Sequence, residues 1–388
     1  MFICKKGIGI IVAMILMSSW VQAQNSIFCY HDVAAGEEMA APYDISADQF
    51  KDQMDFLKRH NYNIVPLSAF ADWVKYKKPL PPNAVGICFD DNYLGVYKNA
   101  FPILKKYKFP ATNFAHTKYV GVMTAKDHAD WKELQEMEDS GLVDIGSHAV
   151  THTPLATLPI ETARWELTES MAALQTHLKK KPRRYFAYPN ISYNDEVVAE
   201  VEKAGYDAGF YGIEGPVDPE ESPYKIRRFH SSQPTTLERF KKMLEFNGDD
   251  PNGPIIVDND STNFIVTGDW TTSSEKYQHY GDNYRVTMAS EKPAHRAIFT
   301  LEIPKSGKYR AYAWYTSDST RSVAVTYNIT DAKGTKQVKI NQKSKGGSWV
   351  SLGTYSFVSG KNARISVIPT GAKAATVAAD AVKLEPVL

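Results

Sequence analysis

The chain has 388 residues, enough for two or three domains of ordinary size, and its 43% apolar and 23% charged residues are those of a globular protein. Forty-five Lys and Arg stand against 44 Asp and Glu, so the net charge of +1 supplies no field that would hold nucleic acid or an anionic membrane surface. An uncharged polymer is the partner this balance leaves open.

The N-terminus, "MFICKKGIGIIVAMILMSSWVQAQ", places Lys5 and Lys6 before an apolar run from Ile8 to Met17 and small residues ending at Ala23. That order predicts a signal peptide over residues 1–23 and a secreted chain, periplasmic or extracellular. A retained anchor is the alternative, but Ser18, Ser19 and Gln22 interrupt the run before the ~20 apolar residues a spanning helix needs, so no stable membrane insertion is expected after cleavage. Cys4 leaves with the signal. Cys29 and Cys88 remain, as one disulfide or as two buried thiols.

From residue 26 to 246, short apolar runs such as "SIFCYHDV", "AVGICFD", "LVDIGSH" and "YKIRRFH" alternate with amphipathic segments. Ser46 with Gln49 three residues on is a capping-box spacing, and Phe50, Met54 and Leu57 follow along one helix side. A second helix runs from about Glu161 to Leu178, and a third, "NDEVVAEVEKAG", ends on Gly205. Strand and helix alternating this often predict a parallel sheet, as a closed (β/α) barrel or an open doubly wound sheet. The segment 247–254, "NGDDPNGP", has linker composition, which predicts few contacts across it and a first domain that works alone. Over 255–388 helical periodicity disappears and runs rich in Thr, Val and Tyr predict an all-β sandwich.

Polar clusters stand at the C-terminal ends of predicted barrel strands: His31 in "CYHDV", Asp90 and Asp91 in "CFDDN", and His148 and His152 in "GSHAVTH". That end is where a β/α barrel gathers its chemistry. Two adjacent aspartates cannot face the same way on a strand, so the strand must end there. His148 and His152 are four apart, and one helical turn would put both imidazoles on one face. Two imidazoles and a carboxylate are a familiar ligand set for a catalytic divalent metal.

With these motifs, "FDD" at 89–91, "HAVTH" at 148–152 and "FAYP" at 186–189, the chain resembles the polysaccharide deacetylases, carbohydrate esterase family four. The resemblance implies a distorted (β/α) barrel that hydrolyses the N-acetyl groups of an acetylated polysaccharide or oligosaccharide with a divalent metal, zinc first among them. It implies Asp90 as general base, Asp91, His148 and His152 as metal ligands, and the backbone N–H of Asn190, after the motif proline, as oxyanion donor. "YHDV" is similar to the poly-β-1,6-N-acetylglucosamine deacetylase branch, which implies His31 as general acid; His230 in "RRFHSS" is the alternative acid. The chain departs from the family at Cys88, Asn92 and Ala149, and has Ala187 where many members keep an arginine on the base; Arg184 could substitute only by reaching from elsewhere. O-acetyl ester hydrolysis on a xylan-like chain, or sugar binding by a degenerate barrel, are the other functions considered. Residues 255–388 resemble the golvesin C-terminal-like domain through "VDNDSTNFIVTGDW", "SGKYRAYAWY" and "VAADAVKL", with Trp270, Trp314 and Trp349 either stacking on sugars or filling the sandwich.

Overall fold

The structure, a computed structural model, describes residues 25–179, 184–230, 236–245 and 250–387. The predicted signal peptide and linker residues 247–249 lie outside that set. Among the described residues no helix is long and apolar enough to cross a membrane.

Six parallel strands follow one another in space: Ser26–Tyr30, Ala84–Phe89, Ala111–Ala115, Val143–Ser147, Tyr185–Ala187 and Ala208–Tyr211. One segment, 226–230, nearly closes the ring. Ile226 and Arg227 pair with Phe210 and Tyr211 on one side, and Phe229 and His230 pair with Phe28 and Cys29 on the other, so the closing segment changes neighbours at Arg228. The predicted barrel is therefore the fold, with helices around it.

Alternation along the strands divides the barrel core. Phe28, Tyr30, Ile87 and Phe89 pack with Phe50, Met54 and Leu57 of the helix Ala47–Arg59, whereas Ile27, Cys29 and Cys88 belong to a separate cluster. Cys29 and Cys88 are buried free thiols, opposite each other in register. The helix begins with the capping box that Ser46 and Gln49 predict: each side chain satisfies the other residue's N–H. Gly205, just beyond Asp195–Lys203, takes φ 85°, as the cap reading requires.

The second region is antiparallel throughout its named sheets, with a four-stranded, a five-stranded and a three-stranded sheet around one core. Trp314 is buried with its Nε1 donating to the Gln278 carbonyl, and Trp270 packs against the sandwich core. Trp349 reaches across to the barrel, where its Nε1 donates to Asp52 Oδ2 at 2.9 Å.

The expectation of few contacts between the two regions is corrected by that seam. The face of Ala47–Arg59 opposite its apolar stripe is paired with the sandwich. Asp52 takes Lys383 Nζ at 2.9 and 3.1 Å, Asp48 accepts the Trp349 N–H, and Gln49 donates to the Tyr280 carbonyl. Arg59 holds Asp250, a residue of the predicted linker, at 3.0 Å. A sequence reads Asp48 and Asp52 as a solvated face; in the fold, Asp52 and Lys383 are both buried.

Candidate active site

The strand Ala84–Phe89 ends where Asp90 donates its N–H to the Tyr30 carbonyl at 2.9 Å, and the chain then turns through Asp91 at φ 72° and Asn92 at φ 43°. Asp and Asn tolerate this left-handed conformation better than other residues with a Cβ. The turn is what lets adjacent carboxylates line one cavity. That cavity, about 640 Å³, is bordered by all seven of the residues singled out from the sequence: His31, Asp90, Asp91, His148, His152, Asn190 and His230.

Asp91 Oδ1 is buried and has no hydrogen-bond donor. Facing it are the Nε2 atoms of His152 at 3.2 Å, His148 at 3.5 Å and His116 at 3.7 Å. Burial, then the neighbouring Asp90 charge, pushes the Asp91 carboxyl up to about 7, with a hydrogen bond from Tyr93 pulling the other way. Ligand atoms of Asp91, His148 and His152 all lie within 4.8 Å of one another. His148 Nδ1 pairs with the Ala187 carbonyl at 2.8 Å, so Nδ1 carries the hydrogen and Nε2 presents its lone pair to the cavity. An acceptor oxygen without a donor and an imidazole in the ligating tautomer fit a divalent cation.

The two histidines meet by a different route from the helical turn that their spacing suggests. Residues 148–152 are an irregular loop, with Ala149 at φ 64° and His152 at φ 62°. Glu166 ties that loop down by accepting the N–H groups of Val150 and Thr151 at 2.8 and 2.9 Å. Asn190 holds its far end, donating Nδ2 to the His152 carbonyl at 3.2 Å.

Asp90 is oriented by a residue the sequence did not single out. Arg228, 1% exposed, grips Asp90 with both ends of its guanidinium, Nη1 to Oδ1 at 2.7 Å and Nη2 to Oδ2 at 2.9 Å. Burial alone would raise the Asp90 pKa, but the Arg228 charge, helped by His148, holds the carboxyl well below the usual carboxylate range. Arg184 is not the substitute: its backbone pairs with Asp207 at the start of another strand, and both Asp90 oxygens are already taken. Cys88, one of the departures, accepts Arg228 Nη1 at 3.5 Å. The signal for Arg228 was the alternation in "KIRRFH", which puts Arg228 on the face of His230 and sends Arg227 to Glu221.

His31 and His230 stand edge to face, ring centroids 4.7 Å apart. Burial, then His230, lowers the His31 imidazole to about 3 despite Asp90, and burial likewise lowers His230. His31 Nδ1 has no partner and the ring lies 5.0 Å from Tyr43. Tyr43, Tyr93, Tyr119 and His128 also line the cavity and carried no motif in the sequence, while Tyr188 lines it from within "FAYP".

A parallel barrel whose mouth holds an arginine-fixed carboxylate beside a carboxylate and histidine cluster is the setting of a hydrolase with a candidate metal site. The sequence profile described as polysaccharide deacetylase matches residues 77–209, and that described as Golvesin C-terminal domain matches residues 255–386. The poly-beta-1,6-N-acetyl-D-glucosamine N-deacetylase of Staphylococcus aureus strain MSSA476 is 35% identical over 198 residues, 48% of this chain and 67% of that protein. The protein of the same name from Staphylococcus epidermidis is 31% identical over 222 residues, 54% of this chain and 75% of that protein. The solved structure of IcaB from Ammonifex degensii aligns with TM-score 0.50 at 26% identity, over 58% of this chain and 97% of that one. The chain belongs to the polysaccharide deacetylase family, with a golvesin C-terminal domain after the barrel.

Proposed function

We propose that this protein is a secreted, metal-dependent N-deacetylase acting on poly-β-1,6-N-acetylglucosamine or a closely related N-acetylhexosamine polymer. The observation that carries the reading is the split between the adjacent aspartates. Asp90 is saturated by Arg228 and held as an anion, whereas Asp91 presents an oxygen with no donor to the histidines.

Asp91, His148 and His152 would hold the cation, zinc first. When bound it supplies Lewis acidity, making a water more acidic and polarising the acetyl carbonyl. Asp90 accepts the proton of the attacking water, and Arg228 holds the carboxylate in place for it. His31 is neutral in the resting site, so it must gain a proton within the catalytic cycle before passing it to the leaving amine. His230, whose ring stands edge to face with it, is the alternative donor. The Asn190 N–H, at the cavity edge, would donate to the oxyanion, while its side chain steadies the His152 loop. Tyr43, Tyr93 and Tyr119 line the cavity and supply aromatic surface for a sugar. The degenerate-barrel alternative drew on Ala187 and Ala149, and the grip of Arg228 on Asp90 answers the first of these.

The test is acetate release by the full mature chain from poly-β-1,6-N-acetylglucosamine oligomers, chitooligosaccharides, peptidoglycan and acetylxylan. Release from the first substrate, lost on chelation and restored by zinc, is expected. Release from acetylxylan alone would make the protein an O-acetyl esterase, and undiminished turnover by protein shown to be metal-free would refute the metal role.

A further inference from the structure

A second cluster of acceptor oxygens without donors lies in the sandwich, outside the barrel mouth. The chain crosses between sheets at Asp380, between the strands Thr376–Ala379 and Ala381–Pro386. Asp380 is 1% exposed; its Oδ2 accepts the Tyr280 N–H at 3.1 Å and its Oδ1 has no donor. The strand Ile255–Asp258 pairs alongside and sets Asp258 level with Ala381. Asp258 Oδ1 accepts the Asn259 N–H at 2.7 Å, and Asp258 Oδ2 rests against Gly281, so closely that an added Cβ there would come within 2.3 Å of it. Two carboxylates from different strands thus converge on one dipeptide, Tyr280–Gly281. Asn259, 2% exposed, gives its Nδ2 hydrogens to Asp260 at 3.2 Å and Asn283 at 2.7 Å, which leaves its own buried Oδ1 without a donor.

The orphan atoms of this cluster, Asp380 Oδ1 and Asn259 Oδ1, are acceptors. Buried acceptors are costly without a partner, and a shared proton would serve one carboxylate while offering nothing to an amide carbonyl. A cation is a partner that either oxygen accepts. Burial pushes the Asp258 carboxyl up to about 7, with Asp260 and Asp282 adding to it, and burial plus the Asp258 charge pushes Asp380 well above the usual carboxylate range. Two carboxylates with an amide oxygen, and no imidazole or thiolate among them, suit a hard ion that takes six to eight oxygens and accepts main-chain carbonyls and water for the remainder.

We propose that Asp258, Asn259 and Asp380 form a binding site for a divalent cation of the calcium type, chemically separate from the deacetylase metal site. Its place in the fold gives it a consequence. Tyr280, whose N–H meets Asp380, also accepts Gln49 from the barrel helix through its carbonyl, and its ring packs on Trp314 and Trp349. The ion therefore steadies the residue on which barrel and sandwich meet.

The experiment uses the full mature chain, first saturated with zinc, then titrated with calcium chloride by calorimetry and followed by thermal unfolding. One calcium per chain is expected in addition to zinc, with a rise of about 5 °C in Tm at a hundredfold excess over Kd. Asp380→Asn and Asp258→Asn should each lose that calcium and that rise while retaining zinc. Should either variant fail to fold, the wild-type chain still decides: terbium bound at the site, excited through Trp314 and Tyr280, should luminesce and be displaced by calcium. No calcium uptake by zinc-saturated protein, terbium emission that calcium leaves unchanged, or calcium binding undiminished in a folded Asp380→Asn protein would overturn the site.

Discussion

Two regions of this molecule bury a carboxylate against a cation, and they do so to different ends. At the barrel mouth Arg228 meets Asp90 through a planar fork, and the carboxyl is held far below its ordinary pKa. At the seam Lys383 meets Asp52 as a point charge, and burial wins: the Asp52 carboxyl lies above its ordinary pKa although Lys383 and Trp349 oppose the shift. The guanidinium fixes direction as well as charge, which a general base requires. The ammonium only closes a contact between two folded regions. A buried ion pair alone is therefore no sign of chemistry; its geometry and its neighbours are.

The comparison can be broken most severely at the mouth. His31→Ala should lower kcat on an N-acetyl amide by ~10²–10⁴, with a smaller loss on an activated ester whose leaving group needs no proton. His230→Ala should cost little on either substrate, and the reverse pattern in paired kinetics would transfer the acid role to His230.

At the seam, Asp52→Ala leaves Lys383 buried without its anion and should destabilise the chain by about 3–5 kcal/mol in chemical denaturation. Zinc content should not change, because Asp52 does not line the cavity. The seam also revises what a barrel without its sandwich should do. It should unfold more readily than the whole chain, and equal stability would mean that the Asp52, Trp349 and Lys383 contacts contribute nothing.

Arg228→Lys sharpens the distinction between fork and point charge. Retaining the charge while losing the bidentate grip should reduce kcat ~10–100-fold with KM and bound metal little altered. A loss in KM alone would assign Arg228 to substrate binding instead.

The smallest effect is in pH. His31 and His116 are both lowered to about 3, chiefly by burial, so as pH falls below ~6.5 the unfolded chain takes up protons before the folded one does. Their contribution to stability is complete above that pH and is lost on acidification toward 3. Each of these histidines should cost metal-free protein about 1 kcal/mol between pH 6.5 and 5.5, while Asp91 and Asp258, both raised to about 7, gain stability over the same window. Denaturation curves of the wild type and of His116→Ala at the two pH values isolate the His116 share, which should be lost in the variant.

Much of the site was legible because its members end predicted strands: Asp90, Asp91, His31 and His148 are placed by local pattern alone. Arg228 was not, since its partner lies 138 residues away and the family's usual position for that arginine is filled by Ala187. The loop carrying His148 and His152 was misread because a spacing of four suits a helix, whereas Ala149 and His152 in left-handed conformations bring the same atoms together. The seam escaped notice because Asp48 and Asp52 on an amphipathic helix look like ordinary surface. Their partners, Trp349 and Lys383, are separated from them by some three hundred residues, 301 and 331 along the chain.

Metal content per folded chain in Asp90→Asn and Asp91→Ala, determined after zinc saturation and desalting, tests the division of labour between the adjacent aspartates most directly. Asp90→Asn should retain one zinc at the barrel mouth and release no acetate, while Asp91→Ala should lose that zinc. Equal zinc loss in both, or full zinc retention in Asp91→Ala, would contradict the assignment.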